Sequence, residues 1–93
     1  MTSIQERFEE FHREHPEVLY YLADLALDLA LKGFKHYGMR PLYERARWHF
    51  QIERGMGSDF KLNDNFISRY ARKIMEDYPE LAGFFETRVL KAA

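Results

Sequence analysis

Cysteine is missing from the chain altogether, which removes disulfide stapling and thiolate metal binding at once and makes a reducing cytosol the expected setting. Proline occurs three times and glycine five times in 93 residues, too sparsely for a repetitive or low-complexity chain. No apolar run is long enough to span a bilayer. The longest, Val18 to Leu31, is interrupted by Asp24 and Asp28, whereas a spanning helix needs about 20 apolar residues. The opening Met1-Thr-Ser-Ile-Gln-Glu-Arg7 has no apolar core of the kind a secretory signal carries, so a cytoplasmic protein without membrane contact is expected. Two further absences concern chemistry. The glycines of Arg54-Gly-Met-Gly-Ser-Asp59 lack the GxxxxGK[ST] arrangement that cradles a phosphate, and no side chains fall into a nucleophile-and-base pattern that sequence alone reveals. Neither an enzyme nor a cofactor is expected.

What the chain does have is apolar and aromatic bulk: 46% hydrophobic residues, with eight Phe, six Tyr and one Trp. That is enough to offset the ordering entropy of one domain over residues 1–93, and too little for a second core. The net charge of −1 conceals an uneven distribution. Residues 1–31 carry seven acids and two bases, a sum of −5; residues 32–73 carry ten bases and four acids, +6; residues 74–93 carry four acids and two bases, −2. The domain therefore reads as an acidic helical part, 1–31, followed by a basic helical part, 32–93, that finishes in an extended segment. A basic middle is either the footprint of a polyanionic partner or the internal counterpart of the acidic first helices.

Four helices follow from the patterning. Ser3 with Glu6 makes a capping box, and Ile4, Phe8 and Phe11 share one face of a helix that must end before Pro16. Pro16 suits the first turn of a second helix. There Glu17, Tyr21, Asp24, Asp28, Lys32 and Lys35 draw a narrow polar stripe beside a broad apolar arc, which suits either the centre of a bundle or a homodimer seam over residues 16–32. Gly33 weakens this helix and Gly38 ends it; Pro41 opens a third, with Leu42, Ala46, His49 and Phe50 on one face and Trp48 and Ile52 displaced from it. Trp48 beside His49 has the look of a base-stacking platform, but a lone Trp in a small apolar pattern reads first as core. Asn63 or Asn65 caps a fourth helix over 64–77, buried through Ile67, Tyr70, Ala71, Ile74 and Tyr78 and stopped by Pro79. Residues 60–62 alternate apolar, basic, apolar, and residues 85–90 alternate likewise, so a short two-stranded element pairing them is expected. The fold class is mainly α, a four-helix compact domain, with a distant winged-helix likeness if that element forms.

Metal spacings are present but incomplete. Glu9-x-x-His12 is one half of a di-iron motif that needs two, and His12-x-x-His15 lies on an exposed helix end, so no metal site is expected. Asp24 and Asp28 resemble a catalytic carboxylate pair, yet Asp28 with Lys32 is an ordinary pair four residues apart. The stronger signal is cationic. Arg69, Arg72 and Lys73, with Ser68, share the outer face of the fourth helix, and Arg45, Arg47, Arg54 and Lys61 stand in the segments before it. Together they are the candidate nucleic-acid contacts. Against a plain helix-turn-helix stands the long loop from Arg54 to Leu62, where such units use about three or four residues.

The runs His36-Tyr-Gly-Met-Arg-Pro-Leu-Tyr-Glu-Arg-Ala-Arg-Trp48, Asp59-Phe-Lys-Leu-Asn-Asp-Asn-Phe66, Tyr70-Ala-Arg72 and Pro79-Glu-Leu-Ala-Gly-Phe-Phe-Glu-Thr-Arg88 resemble small uncharacterised proteins encoded by bacteriophages, prophages and mobile elements. The likeness covers the C-terminal three fifths and implies a phage or bacterial cytoplasmic context, with no activity attached. Two functions then compete: a non-enzymatic module touching nucleic acid through the basic face of helix 64–77, and a protein-interaction module, such as a phage inhibitor or adaptor of a host complex.

Overall fold

The structure, a computed structural model, describes residues 3–86. Helix α1 (Ile4–Glu14) opens on the expected capping box: the Glu6 N–H donates to Ser3 Oγ at 3.1 Å and the Ser3 N–H donates to Glu6 Oε1 at 3.2 Å. Pro16 begins α2 (Pro16–Leu31) in its first turn, where a missing N–H costs nothing. Gly33, not Gly38, ends that helix. At φ +98° Gly33 takes the left-handed position, and its N–H and that of Phe34 donate to the carbonyls of Ala30 and Leu29, both at 3.1 Å. Gly38 instead stands immediately before α3 (Met39–Trp48), with Pro41 in the first turn.

At its C-terminal end α3 widens into a π-helical turn, His49–Glu53, where the Arg54 N–H donates to His49 O at 2.8 Å. Gly55, at φ +70°, then lets the chain fold back so that the N–H groups of Met56 and Gly57 donate to Phe50 O and Gln51 O, both at 3.0 Å. A 3₁₀ turn, Asp64–Phe66, is capped by Asn63 Oδ1, which accepts from the Asn65 N–H at 2.9 Å, and leads into α4 (Ile67–Asp77). A second 3₁₀ turn, Pro79–Leu81, follows.

The expected mainly α domain of four helices is what forms, and α2 is its centre. Val18, Leu19, Leu22, Ala23 and Ala26 are buried, and α2 packs against α1, α3, α4 and the Pro79–Leu81 turn. Much of its broad apolar arc is thus covered inside one chain, while Tyr20 and Leu31 stay exposed. Tyr21 leaves the polar stripe as well, stacking on His49 of the π turn with ring centroids 4.3 Å apart.

Among the described residues the expected pairing of 60–62 with 85–90 does not form. Among the described residues there is no strand, only an isolated parallel bridge between Tyr37 and Phe85, so the winged-helix likeness lapses; residues 87–90 lie outside the described residues. The reason is that the carbonyls of the extended segment are already taken. Tyr43 Oη donates to Asn63 O at 2.6 Å, Arg47 Nη2 to Leu62 O at 2.8 Å and Gln51 Nε2 to Phe60 O at 2.5 Å. Residues 43, 47 and 51 recur every four along α3 and its continuation, so one helix edge stands in for a neighbouring strand. Phe60 and Leu62 are buried by the same alternation that made them resemble a strand.

Tyr70 is fully buried between α1 and α3, edge-on to Phe8 at 4.8 Å, and its hydroxyl has no hydrogen-bond partner among the described residues. Burial pushes its pKa far up. Tyr70→Phe removes an unpaired polar atom without changing the ring, so it is expected to raise stability by about 1 kcal/mol, read as a shift of the urea midpoint at unchanged slope.

Candidate interaction surface

The seven cations singled out by sequence, with Ser68, do not assemble into one face. Arg69, Arg72 and Lys73 do come together on α4, half-buried, but α1 lies opposite them across a groove of about 370 Å³ to which Gln5, Glu9 and His12 contribute. Arg69 Nε donates to Gln5 Oε1 at 3.1 Å and its Nη1 donates to Asn65 O at 3.2 Å. Lys73 Nζ pairs with Asp77 at 3.3 Å, and Glu76 lines the same groove. Ser68 is half-buried beside them. On the far side of α1, Arg47 and Lys61 line a second groove together with Glu10, Glu14 and Asp64. Carboxylates therefore interrupt the cations on both sides, and the field a phosphate chain would follow is divided.

Arg47 is an internal strap. Besides Leu62 O it bonds Asp64 Oδ1 at 2.7 Å and Glu44, and its guanidinium lies over the Tyr43 ring, 5.6 Å from the centroid. Burial works against its charge, but the hydrogen bonds to Asp64 and Glu44 outweigh it and hold its pKa above the ordinary value. The bond from Arg47 likewise holds the Asp64 carboxyl below the usual range. Arg45 and Arg54 are different: both are exposed and neither has an ion-pair partner among the described residues.

His12 sits at the α1 side of the first groove, stacked on Phe8 with centroids 6.2 Å apart and with Nδ1 buried and without a hydrogen-bond partner among the described residues. Burial, reinforced by Lys73 and opposed by Asp77, lowers its pKa from 6.5. The unfolded chain then binds the proton more tightly than the fold, so the stability His12 supports is present above pH 6.5 and declines as pH falls through and below it. His12→Gln is expected to flatten that decline, measured as melting temperature from pH 7.5 down to about pH 5. Among the described residues no three His, Cys, Asp or Glu side chains are placed to hold a metal ion.

Sequence reasoning put Trp48 in the core; the structure puts it outside. Trp48 is 60% exposed and Ile52, one turn further on, is 57% exposed, while Tyr43, Ala46 and Phe50 on the opposite side of the same rod are fully buried. The displacement of Trp48 and Ile52 from the Leu42, Ala46, Phe50 face was the readable signal, because a helix this short has one inward side. The π turn consolidates the arrangement. His49 is stacked under Tyr21 and bonded through Nδ1 to Glu53 at 2.9 Å, Phe50 is packed on Tyr21 and Phe60, and Ile52 is left facing water. Met56, also exposed, follows in the turn beyond Gly55. The remaining exposed large apolar residues are scattered. Tyr20 and Leu31 stand three turns apart on α2 with Asp24 and Asp28 between them, and Phe34 leans edge-on against Tyr37.

Fold and surface together define a small helical domain with one rigid, outward aromatic and aliphatic pair. No family model matches the chain, nor does any curated protein or solved structure. No helix among the described residues is long and apolar enough to cross a membrane.

Proposed function

We propose that this chain is a non-enzymatic protein-docking module whose contact surface is the outer face of α3 and its π turn. The observation that carries this reading is the exposure of Trp48 and Ile52, at 60% and 57%, on a rod whose inner side is fully packed. A rigid helix holding a Trp outward has already met much of the ordering cost of binding, and Trp is the residue type most enriched among binding hot spots. The resemblance of residues 36–88 to small phage and mobile-element proteins supports a cytoplasmic setting in a bacterial host and a host or phage protein as partner.

Nucleic-acid contact through α4 is the second reading. Arg69, Arg72 and Lys73 support it by lying together, and the carboxylates of Glu9 and Glu76 in the same groove weigh against it. One experiment separates the two. The double variant Trp48→Ala/Ile52→Ala changes only exposed side chains, so it is expected to keep the wild-type circular dichroism and melting temperature within about 0.5 kcal/mol of stability. Partner capture from the bacterial host should fall about tenfold or more with it, and stay unchanged with Arg69→Gln/Lys73→Gln. Equal capture by the Trp48 variant, or tight duplex binding abolished by the α4 variant, would replace docking by nucleic-acid contact.

A further inference from the structure

We infer that the Trp48 and Ile52 face accepts an acidic amphipathic helix from its partner protein, an assignment that rests on the docking reading above. The argument is a comparison of which charges are already engaged. Lys32 is paired with Asp28 at 2.5 Å, Arg40 with Glu44 at 3.6 Å, Arg47 with Glu44 and Asp64, and Lys73 with Asp77. Lys35 and Lys61 elsewhere also lack an ion pair among the described residues, but here unpaired cations flank an exposed apolar pair. The two acids on this rod, Glu44 and Glu53, are bound to Arg47 and Arg40 and to His49 respectively, whereas two of its four cations, Arg45 and Arg54, have no ion-pair partner among the described residues.

Geometry sets the form of the ligand. Arg45 lies three residues before Trp48, on the same side of the helix, and Arg54 stands between Ile52 and Met56 in the chain. At about 1.5 Å rise per residue the two guanidinium-bearing positions are roughly 13 Å apart along the rod, two to three turns of a partner helix. A helix carrying apolar anchors on one face, with Asp or Glu at both ends of that face, meets the surface in full: apolar groups cover Trp48 and Ile52, and carboxylates fork onto Arg45 and Arg54. A basic helix would set cation against cation. A single-stranded nucleic acid would use Arg45, Arg54 and the Trp48 ring but would gain no stacking from Ile52.

Trp48 is the only tryptophan in the chain, so its fluorescence reports this surface alone. The test titrates the full chain with three synthetic peptides of about 18 residues that share one leucine face and differ only in flanks of Glu, Gln or Lys. The Glu peptide should shift Trp48 emission to the blue and bind about tenfold tighter than the Lys peptide at low salt, the gap narrowing as salt rises. Arg45→Glu/Arg54→Glu, which alters only unpaired exposed residues, should retain the fold by circular dichroism and reverse that order. Equal binding of the Glu and Gln peptides would overturn the acidic assignment while leaving docking in place. An emission unchanged by every peptide would overturn both. Tighter binding of oligothymidylate than of any peptide would assign the face to nucleic acid, and a blue shift produced by raising the protein concentration alone would assign it to a second copy; either result overturns the inference.

Discussion

Phe50→Ala is expected to lower the melting temperature by more than about 12 °C, because truncating a buried Phe costs about 3–5 kcal/mol and each kcal/mol moves a domain of this size by about 4–8 °C. Phe50 is 1% exposed and joins three parts of the chain: Tyr21 of α2 edge-on at 5.6 Å, Phe60 of the extended segment at 5.5 Å and His49 at 4.9 Å. The cavity cannot close easily. The backbone around Phe50 is held by the π turn, and its own carbonyl accepts from the Met56 N–H. With total stabilities of about 5–15 kcal/mol for single domains, the variant has little left and should show a proportionate fall in its denaturant midpoint. Trp48→Ala, two positions away but exposed, removes a larger side chain and should change stability by no more than about 0.5 kcal/mol. The contrast between the two substitutions is a direct test of which side of α3 faces inward.

Arg47→Ala should be the most destabilising removal of a charge, at about 2–3 kcal/mol. It leaves the Leu62 carbonyl without its donor, about 1–3 kcal/mol for a buried group, and loses the contact over the Tyr43 ring, about 0.5–1 kcal/mol at an exposed site. The bonds to Asp64 and Glu44 add less, since both carboxylates are about half exposed and screened by water. Arg47→Lys should recover only part of the loss, because an ammonium cannot reach a carbonyl and a carboxylate with one fixed fork. Arg45→Ala, on the same helix but unpaired, is the control and should leave stability within about 0.5 kcal/mol. Had Arg47 been a nucleic-acid contact, as its place in the basic middle of the chain suggested, its removal would weaken binding and leave the melting temperature alone. Chemical denaturation of the three variants decides this without any ligand.

Arg47 also shows why the candidate contacts were only partly legible. Charge type and helical position identify a cation on a surface, but not whether the surface meets solvent or another segment. Arg47 finds its acceptors 15 and 17 residues away, and Arg69 finds Gln5 across 64 residues. Trp48 was misplaced for the opposite reason: its composition argued for burial, and the inward side of α3 was already filled by Tyr43, Ala46 and Phe50.

The sequence by itself determined where the first two helices begin, where the fourth is approached and which stripe of each helix is apolar. The Ser3 and Glu6 box, Pro16 at a first turn and the Asn63 cap act within four residues of themselves, so they could be read without a distant partner. Only the tertiary structure decided that α2 is central, that residues 60–63 bond to the side chains of α3 in place of a strand, that α1 divides the cations, and that Trp48 faces outward. Each of those outcomes depends on which surfaces meet. Burial and ion pairing are properties of a residue's whole surroundings, and those surroundings come from segments far apart in the chain.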